Sequence, residues 1–224
     1  MMKNYFKGIG NLFGKDIVFF LKEQKSRSEL NNFLPTYFPY STFSILYSDL
    51  EMLLNHTIFN GSTTILETGS GLSTLVLGKY FKFIGHGKVI SLENDKKWYD
   101  LMTNLITADE LSDFVKIVYC PTIDIKHSNK KGKWYDEAVY QEEIAGVKFD
   151  GFILDGPRAN SPALIDSRYP SYTLIEGYAK SNYFVFMDDY KRTGDKENFA
   201  NIIAKFHLSI VKQNRHGKGV LLTK

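Results

Sequence analysis

Hydrophobic positions along the chain fall into short, nearly continuous runs separated by stretches with helical spacing. The runs Thr64–Glu67, Lys88–Leu92, Val115–Tyr119, Gly151–Leu154 and Tyr183–Met187 have strand length. Helical patterns lie between them at Ser73–Phe81, Asp95–Ile106 and Ser171–Lys180, with a weaker one at Tyr135–Ile144. Pro170 ends a loop, and Ser171 is placed to cap the helix after it. Upstream, Phe43, Leu46, Leu50 and Leu53 predict a helix over Ser41–Leu54, closed by a turn at Asn60-Gly61. Strands alternating with helices predict a doubly wound α/β fold, its sheet mostly parallel and covered on both faces. The tail differs: His207–Val211 and Gly219–Thr223 flank a polar turn and predict an antiparallel hairpin at the sheet edge.

Residues 1–33 form a separate amphipathic extension ahead of one domain over residues 34–224. Phe6, Ile9, Phe13, Ile17 and Phe20 share a helical face opposite Lys3, Lys7, Lys15, Lys22 and Lys25. Such a helix packs on its own domain or on a second copy of the chain, or lies on a membrane surface. A polar joint at Gln24–Asn32 follows, and Pro35 and Pro39 predict extended chain over Leu34–Tyr40.

The richest segment is TILETGSGLSTLV, Thr64 to Val76. A strand ending at Glu67 and Thr68 turns through Gly69, Ser70 and Gly71 into a helix that opens with Ser73 and Thr74. Glycine lets backbone approach a ligand, and the helix start offers unpaired N–H groups. The pattern departs from the dinucleotide fingerprint, because Thr74 replaces its third glycine and Glu67 stands ahead of the loop. A carboxylate there repels a pyrophosphate and attracts a sulfonium or ammonium, which points to S-adenosylmethionine as the cofactor.

Composition adds limits. With 43% hydrophobic and 15% aromatic residues and a net charge of +3, the chain has no basic stripe for nucleic acid. No apolar run is long enough for a membrane-spanning helix. The lone cysteine, Cys120, excludes an internal disulfide and suits a reducing cytoplasm, with a peripheral membrane contact left open through the N-terminal helix. Cys120 is expected to be a small buried residue or to line an adenine pocket. The long stretch Pro121–Lys148 is the expected mobile or substrate-facing insertion.

Further carboxylates end later strands. Glu93, with Asn94 after it, lies 22 residues beyond Gly71, close to the roughly 20 expected of an acidic residue that holds ribose hydroxyls. FDGFILDGPR delivers Asp155, and YFVFMDDYKR delivers Asp188 and Asp189. If those strands are neighbours, about 4.8 Å apart, the carboxylates converge. They then need a proton or a cation among them, and Mg²⁺ or another divalent ion suits oxygen ligands. The alternative is that one aspartate caps a helix and another pairs with Arg158, Lys191 or Arg192. The five histidines are dispersed and support no transition-metal site.

The ordered segments ILETGSG, VISLEND, FDGFILDGP and FVFMDD resemble the strand-end motifs of class I S-adenosylmethionine-dependent methyltransferases. The likeness spans roughly Leu34 to Lys224 and implies their Rossmann-like, seven-stranded sheet. LETGSGLSTL, LENDKKWYD, LDGPR, SRYP and DDYKR look like a bacterial subgroup, and DGPR is also similar to plant glucuronoxylan 4-O-methyltransferases. The resemblance implies that Glu67, Gly69 and Gly71 surround the methionine part of the cofactor, Glu93 the ribose and Pro121-Thr122 the adenine edge. Asp155 would border the methyl group. In catechol-type relatives the matches of Asp155, Asp188 and Asp189 hold a metal, and the asparagine usual there is replaced by an aspartate in this chain. The implied activity is O-methylation of a sugar or other small polar acceptor. Asp155, Asp189 and Lys191 are the catalytic candidates, and Arg158, Arg168, Tyr169 and Arg192 are the candidates to hold an acidic or polyhydroxylated acceptor. Two rivals stand beside this reading: an NAD- or nucleotide-sugar-binding enzyme on the same fold, and a non-catalytic binding module.

Overall fold

The computed structural model describes residues 15–127, 129–214 and 217–224. In chain order the elements are α1 (Lys15–Glu29), α2 (Tyr47–Phe59), β1 (Thr64–Thr68), α3 (Leu72–Ile84), β2 (Lys88–Glu93), α4 (Lys96–Ala108) and β3 (Val115–Tyr119). A ribbon of β4 (Thr122–Asp124) and β5 (Lys133–Tyr135) follows, then α5 (Glu137–Glu143), β6 (Phe149–Leu154), α6 (Ser171–Tyr178), β7 (Ala179–Met187), α7 (Thr193–Phe206), β8 (Ser209–Gln213) and β9 (Val220–Thr223). Seven strands form one sheet in the order β3-β2-β1-β6-β7-β9-β8. Strands β3, β2, β1, β6 and β7 are parallel, and β9 runs against both β7 and β8.

Both faces of the central strands are buried, and their residues alternate between two cores. Leu66, Ile90, Leu92, Phe152, Leu154, Val185 and Met187 join α6 and α7 on one side. Ile65, Val89, Ile153, Phe184 and Phe186 join α2 and α3 on the other. This period-two partition of near-continuous apolar runs is what a sheet covered by helices on both faces requires.

The helices correct several sequence expectations. The chain from Ser41 to Leu46 is irregular and α2 starts at Tyr47, so the first half of the predicted Ser41–Leu54 helix is loop. Pro170, not Ser171, holds the N-cap position of α6, and the Ser171 hydroxyl accepts a hydrogen bond from Asn198. The predicted polar joint at Gln24–Asn32 continues as helix to Glu29.

Residues 1–14, with Lys3, Phe6, Lys7, Ile9 and Phe13, lie outside the described residues. The rest of α1 packs on α2: Glu23 accepts from the Ser48 backbone N–H, Ser26 donates to Glu51, and Leu30 enters the core. Ile17, Phe20 and Leu21 stay exposed, so the helix docks through a mixed face and turns its apolar one outward. Among the described residues no helix is long and apolar enough to cross a membrane.

Candidate functional site

Register brings the chemistry together. Thr68 pairs with Leu92 and with Leu154, and Leu154 pairs with Met187. The carboxyl ends of four adjacent strands therefore release Gly69, Glu93, Asp155 and Asp188 at one level, around a cavity of 640 Å³.

Gly69 turns the loop with φ +85°, a conformation most side chains resist. A Cβ there would lie 3.0 Å from the Gly156 backbone nitrogen, so the loops after β1 and β6 touch backbone to backbone. Gly156 has its own constraint, since a Cβ on it would lie 2.4 Å from the Tyr135 hydroxyl. Gly69→Ala should lower stability by about 1–3 kcal/mol, the usual magnitude for an enforced backbone outlier, measured as a shift in the urea midpoint.

Beyond Gly69 the loop is held from the neighbouring strand. Glu93 accepts from the Ser70 backbone N–H at 3.1 Å, from the Ser70 hydroxyl at 2.8 Å and from the Asp95 N–H at 2.8 Å. Burial raises its pKa, and these hydrogen bonds oppose the rise. Asp95 caps α4 by accepting from Lys97 and Trp98, and the Trp98 indole donates to the Ser70 carbonyl at 2.8 Å. Trp98 and Phe38 meet edge to face, with centroids 5.9 Å apart, and form an aromatic wall of the cavity.

Glu67 behaves otherwise than its sequence position suggests. It is completely buried and does not border the cavity. Its two oxygens accept from the hydroxyls of Ser73 and Thr74 at the start of α3. Thr74 in turn accepts from the Gly71 N–H at 2.8 Å. Burial pushes the Glu67 carboxyl up to about 7 against these hydrogen bonds. Glu67 thus fastens the loop to the helix from beneath, and a direct attraction for a cationic ligand is not its role.

At the far end, Asp155 meets Arg168, whose side chain is 7% exposed. The guanidinium donates through Nη2 to Asp155 Oδ1 at 3.2 Å, through Nη1 to the Asp188 carbonyl at 3.1 Å and through Nε to the Pro157 carbonyl at 3.2 Å. Burial raises the Asp155 pKa and Arg168 pulls it back. Asp188 is buried, its Oδ1 has no hydrogen-bond partner among the described residues, and burial with the charges of Asp155 and Asp189 pushes its carboxyl well up. Asp189 leaves β7 with φ +53° and lies 3.4 Å from Arg192 and 3.9 Å from Lys218. The buried Asp49 accepts from the backbone N–H groups of Lys218 and Gly219 and so fixes the turn that brings Lys218 to the cavity.

Of the residues singled out in the sequence, Gly69, Ser70, Gly71, Ser73, Glu93, Asn94, Asp155, Arg158, Arg168, Asp188, Asp189 and Arg192 border the cavity. The others do not. Thr68 is buried within β1, and Thr74 faces Glu67. Pro121 is exposed and Thr122 is tied into the β4–β5 ribbon, so that wall is formed by Tyr135 instead. Tyr169 meets His127 and Tyr172 edge to face, away from the cavity, and Lys191 lies over the Tyr190 ring. Cys120 is buried off the cavity, where its thiol donates to the Asp136 carbonyl and is pushed up to about 12 by burial.

The divalent-cation expectation is not confirmed. Among the described residues no three His, Cys, Asp or Glu side chains are arranged to hold a metal ion. The Arg168 guanidinium lies between the ends of β6 and β7, beside the carboxylates singled out for a metal.

Sequence reasoning also missed Phe38, the Ser41–Ile45 segment, Trp98, Leu101, Tyr135 and Lys218, all of which border the cavity. Trp98 and Leu101, three apart in the first turns of a capped helix, carried a readable signal.

No protein-family model and no curated protein matches the chain. Solved structures do. The Bacillus cereus O-methyltransferase in complex with S-adenosylhomocysteine superposes with TM-score 0.55 at 17% identity, covering 90% of this chain and 89% of that one. The fold is that of the class I methyltransferases. The S-adenosylhomocysteine-bound Podospora anserina methyltransferase PaMTH1 gives TM-score 0.58 at 13% identity, covering 91% and 87%. TomG from Streptomyces achromogenes, an O-methyltransferase involved in tomaymycin synthesis, solved with S-adenosylmethionine, gives 0.55 at 11% identity, covering 90% and 86%. The methyltransferase fold here thus includes the inserted antiparallel β9 between β7 and β8.

Proposed function

We propose that the chain transfers a methyl group from S-adenosylmethionine to a hydroxyl of a small polar acceptor, a sugar being the first class to test. The observation that carries this is the meeting of the Gly69–Gly71 loop, Glu93 and Asp155 around one cavity on a methyltransferase fold. Ligands of open α/β sheets collect at such strand ends. Glu93 would accept from the ribose hydroxyls, Asn94 and Trp98 would border the adenine, and the Gly69–Gly71 backbone would border the methionine end. When bound, S-adenosylmethionine supplies an electrophilic methyl whose C–S bond breaks with the electron pair left on sulfur.

The chain does the rest by positioning and proton transfer. Asp155, whose charged form Arg168 favours against the burial that raises its pKa, accepts the proton of the acceptor hydroxyl as the hydroxyl oxygen bonds to the methyl carbon. Arg158, Arg192 and Lys218 face polar groups of the acceptor at the mouth, where Arg158 rests 5.1 Å over the Phe43 ring. No step runs through a metal ion. Mass spectrometry of candidate acceptors after incubation with a labelled methyl donor tests the proposal: a labelled sugar or other hydroxyl compound supports it, and label on none of them opposes it.

Tyr135 offers a sharper check on the cofactor end. Its side chain is fully buried, its hydroxyl has no hydrogen-bond partner among the described residues, and it borders the cavity. If the ligand satisfies that hydroxyl, Tyr135→Phe weakens donor binding by about 3- to 10-fold, the worth of one hydrogen bond, with no loss of stability. Calorimetry paired with urea unfolding separates the two effects.

A further inference from the structure

We propose that Arg168 takes the place of a divalent cation in this site: its guanidinium joins the ends of β6 and β7 and holds Asp155 toward the acceptor, so that methyl transfer is metal-independent. The inference rests on the methyl-transfer reading. Three observations carry it. The side chain is enclosed, and each of its three nitrogens donates a hydrogen bond, to the Pro157 carbonyl, the Asp188 carbonyl and Asp155 Oδ1. Its backbone is fixed as well, because Asn198, 1% exposed on α7, donates to the Arg168 carbonyl at 2.8 Å. The buried Asp195 places a further negative charge within its field.

An arginine keeps its charge when buried, so this cation is permanent and cannot dissociate. A divalent ion brought to Asp155 and Asp188 would meet that charge at close range in a shielded site, where like charges repel strongly. What a metal offers an acceptor hydroxyl, a fixed positive charge beside the developing negative one, is here supplied by a residue 13 positions after the carboxylate it holds. Arg168 is therefore a positioning residue that acts through Asp155.

The test uses Mn²⁺ alone, followed by electron paramagnetic resonance, on the full chain. The native protein is expected to leave Mn²⁺ unbound through the millimolar range. Arg168→Lys, which keeps the charge, should behave like native. Arg168→Met should gain one Mn²⁺ site of micromolar affinity, removed again by adding Asp155→Asn, with circular dichroism confirming the fold of each variant. Stoichiometric Mn²⁺ binding by the native chain, lost in Asp188→Asn, overturns the inference, as does a folded Arg168→Met chain that binds none. If Arg168→Met does not fold, the native titration decides alone. Native Mn²⁺ binding alongside normal S-adenosylmethionine binding defeats this inference only, whereas absent S-adenosylmethionine binding defeats the proposed function whatever Mn²⁺ does.

Discussion

Asp155→Asn is expected to lower methyl transfer by about 10²–10⁴-fold, the range general-base catalysis contributes, while binding of S-adenosylmethionine persists. The amide keeps an oxygen for Arg168 and almost the same shape, so the change removes the proton acceptor and little else. Single-turnover transfer measured beside calorimetric binding checks it. Turnover within tenfold of native would remove Asp155 from the base role. The same pair of measurements separates an enzyme from a binding module, since a module has no turnover to lose.

The second large effect concerns stability. Glu67 is completely buried, and its carboxyl is pushed up from 4.5 to about 7. Between those values the native chain holds a proton that the unfolded chain has lost, so stability falls as pH rises through that window. Below it both states are protonated and no penalty exists; above it the penalty is complete. At about 1.4 kcal/mol per unit, the difference amounts to about 3 kcal/mol. Glu67→Gln has no proton to lose. Its stability advantage over native should therefore be small at pH 4, grow through neutrality and level off above it. Urea unfolding of both chains from pH 4 to 8 measures this, and curves that stay parallel would show that Glu67 titrates normally.

How far the sequence reached can be traced residue by residue. The central strands were legible because Ile65 and Leu66, or Ile153 and Leu154, sit side by side in opposite cores, which makes each run nearly continuously apolar. The glycine loop and the Glu93 spacing were legible because backbone geometry demands them. Glu67 was misread for a reason of local packing: a strand-end carboxylate can point up to a ligand or sideways to the next helix, and the Ser73 and Thr74 hydroxyls decided it. Arg168 was counted among acceptor residues. Its return to its own strand end depends on an irregular chain between β6 and α6 whose path no periodicity encodes. Helix α7 went unpredicted although Phe199, Ile202, Ile203 and Phe206 repeat at helical spacing; the polar run from Arg192 to Asn198 masked it. The β4–β5 ribbon, only three residues a side, is too short to signal itself, so Tyr135 could not be placed at the cavity.

Isothermal titration of the folded chain with S-adenosylmethionine tests the central claim most directly. The account predicts one site, competition by S-adenosylhomocysteine, and affinity reduced by about tenfold or more in Glu93→Ala, the worth of hydrogen bonds to a charged group. A folded protein that gives no heat with S-adenosylmethionine but binds NAD would contradict it.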